Sequence, residues 1–342
     1  MEGIMVKKSG SDIRCVTLPA GIFYNGDCIH GAALHIPDNS VDLIITDPPY
    51  GINGDMLHKH YNRDEKFVVG GYVEIPQEKY GTFSFEWITQ AERVLRPGGS
   101  IYIVSGYTNL YQILDALHKT GLKEINHIIW KYSFGVFTRR KFVSSHYHIL
   151  FYEKPGASRT FNLESRYGLD EKDEDGRSFN NTDREDVWMI KREYKPGKVK
   201  NKNELPPDLL TKMIQYSSNE GDLVCDFFLG GFSTAKVAIG LNRRATGFEI
   251  SKAIFDTRIE EIASTEPGSL SLSLRKPDIL PQKNQRKTWT ESDIRYLISE
   301  YRKRRAHGET KKAISTALGA ALGRGRWAIE KAIKKYAANG EI

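Results

Sequence analysis

The run Val41-Asp42-Leu43-Ile44-Ile45-Thr46-Asp47-Pro48-Pro49-Tyr50 begins as a short apolar, β-branched stretch and closes on two prolines. Such a run, bounded by a chain breaker, reads as a buried strand. Working outward, apolar residues at helical spacing mark a helix over 85–95, ending at Pro97-Gly98-Gly99, and others over 110–120, 209–217 and 234–242. Strands are expected over 100–105, 127–130, 148–152, 222–225 and 245–249. Strands alternating with helices predict an α/β fold with a mostly parallel sheet.

Composition narrows the function classes. Of 342 residues, 39 % are hydrophobic and 27 % charged, the balance of a globular chain rather than a disordered one. No apolar run approaches the roughly 20 residues that would span a bilayer, and the first twenty positions lack a signal-like apolar core, so no membrane partner is expected. Three scattered cysteines exclude a disulfide framework and a four-Cys zinc site, and fit a reducing compartment. The net charge of +7 is unevenly placed: positions 283–342 hold 15 Lys and Arg against 6 Asp and Glu, leaving the rest of the chain at −2. That is the footprint of a polyanion-binding module beside a near-neutral catalytic body, although a solubilising basic tail has the same signature.

The chain accordingly divides into a catalytic domain over 1–263, a Ser- and Pro-rich linker over 264–286 and a basic module over 287–342. Within the first, residues 155–203 are polar and weakly patterned and are expected to form an excursion, a candidate target-recognition region. In the last, Ile294/Leu297/Ile298/Tyr301, Ile314/Ala317/Leu318/Ala321 and Ile329/Ala332/Ile333/Tyr336 repeat the i, i+3, i+4, i+7 pattern of three short helices. Thr290 and Thr310 sit where N-caps belong, Gly308 and Gly323 punctuate the joints, and Trp289 and Trp327 would supply core bulk. A basic third helix with Arg324, Arg326, Lys331, Lys334 and Lys335 resembles a helix-turn-helix module of the Myb or SANT kind, with a protein-interaction bundle as the alternative.

Two strand ends carry unusual chemistry, and ligands of open α/β sheets bind at carboxyl ends. Asp47-Pro48-Pro49-Tyr50 lacks two N–H donors, so it offers a carboxylate, carbonyl oxygens and an aromatic plane. That cluster suits an amino group on a flat ring: Asp47 and the Pro48 carbonyl each accept one N–H, and Tyr50 stacks on the ring. Drawing both hydrogens toward acceptors localises the nitrogen lone pair, which can then attack an electrophile. Taken alone, the same four residues serve equally as a strand-ending turn. The second end, Asp226-Phe227-Phe228-Leu229-Gly230-Gly231-Phe232-Ser233-Thr234, leads into a helix, and Glu249 ends the next strand. A glycine turn and a helix N-terminus favour a negative group, and an acidic residue at this distance reaches a ribose diol. The turn is not G-x-G-x-x-G, so an adenosine bearing an amino-acid carboxylate fits better than a pyrophosphate cofactor.

With Gly26-Asp27-Cys28 upstream, Arg93-Val94-Leu95-Arg96-Pro97-Gly98-Gly99-Ser100, His127-Ile128-Ile129-Trp130-Lys131 and the lead-in Asn219 to Asp226, this ordered set resembles the amino-methylating DNA methyltransferases that use S-adenosylmethionine, in their β-class motif order. The resemblance covers 24–261 and implies a Rossmann-like methyltransferase fold, S-adenosylmethionine as cofactor and double-stranded DNA as substrate. It implies Asp47, Pro48, Pro49 and Tyr50 as catalytic residues. Cofactor contacts are implied at Asp27, Cys28, Asp47, Asn203, Leu205, Asp226, Phe228, Gly230, Gly231, Phe232, Ser233 and Glu249. Three departures stand out: Phe232 where the family's turn often has Gly, Leu205 in place of a cofactor-side Lys, and His146-Tyr147-His148 in place of a Glu.

The expected reaction is site-specific methylation of the N6 amine of flipped-out adenine. N4 of cytosine, an RNA base, and a non-catalytic DNA-binding role are the alternatives. Arg139, Arg140 and Lys141 join the tail cations as DNA-contact candidates. No metal is expected, because His146 and His148 lack a third ligand at useful spacing. A second copy of the chain and a companion restriction endonuclease are further candidate partners, and the expected setting is the nucleoid-associated cytoplasm of a prokaryote or the host of a phage.

Overall fold

The computed structural model describes residues 5–8, 13–49, 75–132, 139–192, 204–279, 284 and 287–342. The chain forms two compact units, 1–162 with 185–274 and 163–184 with 275–342.

The larger unit is built on one sheet whose strands are β1 (Met5–Lys8), β2 (Arg14–Leu18), β3 (Gly21–Asn25), β4 (Val41–Thr46), β5 (Leu95–Ser105), β6 (Lys123–Lys131), β7 (His146–Glu153), β8 (Val187–Met189), β9 (Leu223–Asp226) and β10 (Arg244–Glu249). They lie in the order β1-β2-β3-β10-β9-β4-β5-β7-β6-β8. The centre, β3-β10-β9-β4-β5, is parallel; β1 and β2 on one side and β7 on the other pair antiparallel.

Strand β4 shows why the centre is where it is. Leu43 and Ile45 point into one apolar layer and Ile44 into the other, all three fully buried, so both faces must be covered. One face is covered by α1 (Cys28–His35), α2 (Tyr80–Val94) and α3 (Leu110–His118). The other receives α5 (Pro207–Ser217), α6 (Ser233–Gly240) and α7 (Lys252–Ala263). Burying each such aliphatic side chain stabilises the fold by about 1.5–3 kcal/mol.

Several expectations shift. Helix α2 begins at Tyr80 rather than 85, with Tyr80 and Ser84 on its buried face. Rather than starting at Ser100, strand β5 begins at Leu95 and runs through Pro97-Gly98-Gly99, read from the sequence as the end of the preceding helix. There the Gly98 N–H donates to the Lys154 carbonyl and the Lys154 N–H to the Gly99 carbonyl, so β7 holds the irregular stretch in the sheet. The hairpin β1–β2–β3 was not anticipated.

The expected excursion over 155–203 is not one body, since β8 joins the sheet edge beside β6 with Trp188 buried, while 163–184 belongs to the smaller unit. Nor is 264–286 a free linker: Leu270 and Leu274 pack on the core of the larger unit, and Arg275 pairs with Glu171 in the smaller one. In both places isolated anchors, not a periodic face, decide the packing.

The smaller unit holds α4 (Phe179–Asp183), α8 (Glu291–Ala306), α9 (Lys311–Leu322) and α10 (Arg326–Ala338). Thr290 and Thr310 accept the backbone N–H of Asp293 and Ala313 as N-caps, and Gly323 closes α9 at φ 61°. Its core joins Leu297, Tyr301, Ile314, Leu318, Ile329 and Ile333, with Trp289 against them. Trp327, expected in that core, is 65 % exposed, because the buried stripe of α10 runs through Ile329, Ala332 and Ile333 instead. Within 163–184 the fully buried Asn180 donates to the carbonyls of Leu163 and Tyr167, which organises a segment too polar for a core of its own.

Candidate active site

Four neighbouring parallel strands, β3, β10, β9 and β4, end on one rim, and the residues that follow them line a single cavity. From β4 the chain proceeds to β5 through α2 on one face, whereas from β9 it proceeds to β10 through α6 on the other. The two helices diverge, and a crevice opens between β4 and β9. Asp27, Cys28, Asp47, Pro49, Leu205, Asp226, Phe228, Gly230, Gly231, Ser233 and Glu249 are brought together there.

Asp226 ends β9 in full burial. Its carboxylate accepts from the Thr46 hydroxyl at 2.9 Å and the Phe228 N–H at 3.0 Å, tying β9 to β4 and bending the chain into the glycine turn. Burial outweighs these bonds and raises its pKa. Glu249 ends β10 beneath that turn, accepting the N–H of Gly230 at 2.9 Å and of Ser251 at 2.7 Å. Burial pushes its carboxyl up to about 7 against those two bonds, with Asp226 adding a smaller upward push. Each oxygen keeps a lone pair for a further donor, which is the chemistry a vicinal diol satisfies. Asp27 caps α1 by accepting the His30 N–H at 2.8 Å, and burial raises the Cys28 thiol.

The turn depends on its glycines. Gly230 has φ 48°, and a Cβ on Gly231 would meet the Glu204 carboxylate at 2.2 Å. Phe232 adopts the same left-handed region, φ 59°, as the N-cap of α6. Expected among the cofactor contacts, Phe232 instead buries its ring against Phe23 and Phe255, away from the cavity. Packing is what holds a bulky residue in that strained conformation.

The D-P-P stretch has Asp47 half-buried and Pro48 buried. The Pro49 carbonyl accepts the Tyr80 hydroxyl at 2.9 Å. Tyr50 and Asn203 lie outside the described residues. Apolar walls come from Ile75, Phe83, Ile250 and Ile254, and a further carboxylate from Glu204, none of them foreseen. Ile250 was legible as an apolar residue directly after a strand-ending Glu. Glu204 was passed over between Asn203 and Leu205; it faces Arg258 at 3.4 Å, which in turn pairs with Glu261 at 2.8 Å. A carboxylate at a buried diol position, a glycine turn opening a helix and an apolar wall together fit an adenosine that carries an amino acid.

The DNA-contact candidates separate. Arg139, Arg140 and Lys141 are exposed, as are Lys331, Lys334 and Lys335. Arg324 and Arg326 are not available: Arg324 is buried, bonded to Asp293 at 3.0 Å and to the carbonyls of Lys287 and Thr288, with its guanidinium 4.2 Å from the Trp289 ring centroid. Arg326 is buried beside Glu330 at 3.1 Å, and its N–H donates to Asp170. Among the described residues, no three metal-ligating side chains converge on a common point, and no helix is long and apolar enough to cross a membrane. The His127 Nε2 and His148 Nδ1 atoms are 2.8 Å apart, and burial lowers the pKa of His148 to about 4.

The family model described as DNA methylase matches residues 41–260. The chain is similar to the type II methyltransferase M.HpaI of Haemophilus parainfluenzae, 31 % identical over 281 residues, 79 % of this chain and 84 % of that protein. It is 28 % identical to the type II methyltransferase M.HinfI of Haemophilus influenzae, over 79 % of this chain and 76 % of that one. Among solved structures, the fold is similar to TTHA0409 of Thermus thermophilus complexed with S-adenosyl-L-methionine, with TM-score 0.51, 24 % identity and 78 % of this chain against 98 % of that one. It is also similar to the cytosine-N4-specific PvuII DNA methyltransferase, with TM-score 0.53 and 16 % identity over 77 % of this chain and 96 % of that one.

Proposed function

The chain belongs to the DNA methylase family, and from that membership we propose that it methylates the N6 amine of adenine at a specific DNA site. The carrying observation is the placement of Asp47 and Glu249 on one cavity, at the ends of the two strands that flank β9. Bound S-adenosylmethionine supplies an electrophilic methyl group. Glu249 would accept its ribose hydroxyls, the Gly230-Gly231 turn at the head of α6 would receive its amino-acid end, and Phe228, Leu205 and Ile250, which line the same cavity, would wall its base. Asp47 and the Pro48 carbonyl accept the two amine hydrogens of the target base, which raises electron density on the nitrogen and leaves its lone pair facing the methyl. After transfer the nitrogen carries an extra proton, and the Asp47 carboxylate is the nearest base to receive it. An exocyclic amine inside a duplex is already hydrogen-bonded, so the base must leave the stack first.

The smaller unit supplies DNA contact in this reading. On α10, Trp327, Lys331 and Lys334 are exposed at i, i+4, i+7, one stripe, with the Lys331 Nζ 5.3 Å from the Trp327 ring centroid. This stripe replaces Arg324 and Arg326 as the candidate groove-facing surface, with Lys335 beside it and Arg139, Arg140 and Lys141 serving the larger unit. The type II designation of the relatives supports a companion restriction endonuclease acting on the same site.

Expressing the chain in a methylation-free host and sequencing the DNA with modification-sensitive long reads should return methylated adenine in one sequence context. Methylated cytosine at N4 would replace the target base while leaving the family intact. Asp47→Ala should abolish transfer and retain cofactor binding in calorimetry; near-normal turnover would remove Asp47 from catalysis.

A further inference from the structure

Covalent structure restrains almost every backbone torsion of the acceptor loop. The pyrrolidine rings lock φ of Pro48 and Pro49, and a following proline keeps Asp47 and Pro48 extended in ψ. At the Pro49 end no following proline adds such a restraint, so what fixes that end of the loop has to come from packing. The Pro49 carbonyl oxygen is the atom that accepts the Tyr80 hydroxyl at 2.9 Å. We propose that Tyr80 is a positioning residue for methyl transfer, anchoring the Asp47-Pro48-Pro49 stretch to α2 through the Pro49 carbonyl.

The surroundings of Tyr80 suit that role. It sits in the first turn of α2, 1 % exposed, so its ring cannot swing away. The ring lies 6.0 Å from that of Phe83, which itself lines the cavity, so the anchor is continuous with the apolar wall. Burial, and next the negative charge of Asp47, push the phenol well above its ordinary pKa and keep the hydroxyl a neutral donor. The Asn109 amide approaches the same hydroxyl, yet it closes no well-aligned bond: both its polar atoms are buried and unpartnered. Among the described residues, the Pro49 carbonyl is the acceptor of the Tyr80 proton. Reaction rates fall steeply when acceptor groups are displaced by an ångström or less, so loosening the anchor of the stretch that carries them is expected to act on the chemical step.

This inference rests on the methyl-transfer reading, and the test keeps the two apart. Tyr80→Phe retains the ring and its packing and deletes one hydrogen bond. Single-turnover methylation of a duplex containing the site should slow by roughly two- to tenfold, the range of one neutral hydrogen bond. The melting temperature, the cofactor Kd and KM for DNA should stay at parental values. Parental turnover in Tyr80→Phe overturns the inference. A loss that tracks a lower melting temperature or weaker cofactor binding also overturns it, by making Tyr80 merely structural. Asp47→Ala, run alongside, reports on the parent reading: if it still transfers methyl groups, that reading fails whatever Tyr80→Phe does.

Discussion

Glu249, the proposed ribose ligand, has an unusual charge state for that role. Its carboxyl titrates near 7 in the folded chain because burial disfavours the anion. An acid whose folded pKa is raised contributes stability below its unfolded pKa, near 4.3, and loses it as pH rises through about 7. In the proposed complex the ribose hydroxyls donate to the anion, so binding should lower that pKa and release a proton. Cofactor affinity is therefore expected to rise from pH 6 to pH 8. Calorimetry at pH 6.5 in buffers of different ionisation enthalpy should register the released proton. Glu249→Gln should flatten both pH dependences and bind the cofactor more weakly at pH 8, by roughly 1.5–3 kcal/mol for the lost charge-assisted bonds. Identical pH profiles in parent and variant would remove Glu249 from the diol site.

Among the elements, α6 has the least favourable beginning. Its N-cap is Phe232 in left-handed conformation with no side-chain cap bond, yet the ring is fully buried between β3 and α7 through Phe23 and Phe255. Two effects compete at this residue, and their sizes decide the outcome. Losing a buried aromatic side chain costs about 3–5 kcal/mol, whereas left-handed strain in a non-glycine residue is worth roughly 1–2 kcal/mol. Phe232→Ala should thus be strongly destabilised in urea titrations. Phe232→Gly should be more stable than Phe232→Ala by about 1 kcal/mol, because glycine carries no left-handed strain and is the better N-cap of the two. Equal stability of the two variants would mean that position 232 is not held in the left-handed region.

At the scale of the whole molecule, the unit boundary changes what a truncation does. Removing 283–342 deletes α8, α9 and α10 and leaves the sheet with the helices on both its faces, all of which belong to the larger unit. It also strips 163–184 of the helices it shares a unit with. The shortened chain should therefore melt cooperatively and bind cofactor, while limited proteolysis cuts within 163–184, a segment protected in the full chain. Its DNA affinity should fall and lose salt dependence, by about 0.9 in the slope of log affinity against log salt for each phosphate contact removed. Lys331→Ala in the full chain should remove one such contact without changing the melting temperature. An unchanged slope in the truncated chain would make the smaller unit a protein-interaction bundle.

Local pattern was enough to place the elements that matter most. An apolar β-branched run marked β4, the alternation of strands with helices marked β9 and β10, the four-residue spacing of apolar side chains marked α8, α9 and α10, and proline and glycine marked the strand ends that line the cavity. These signals are legible because each arises from backbone geometry within a few residues of itself. The short strands β2, β3 and β8 carry no comparable pattern; they form because a neighbouring strand completes their hydrogen bonds. The same holds for side-chain roles. Arg324 and Lys331 look alike in sequence, but one is enclosed by Asp293 and Trp289 while the other stays in solvent. The Tyr80 bond to Pro49 spans 31 residues, and the Arg326 bond to Asp170 spans 156. Which polar group meets which partner depends on how whole elements pack, and that long-range geometry is what tertiary structure alone decided.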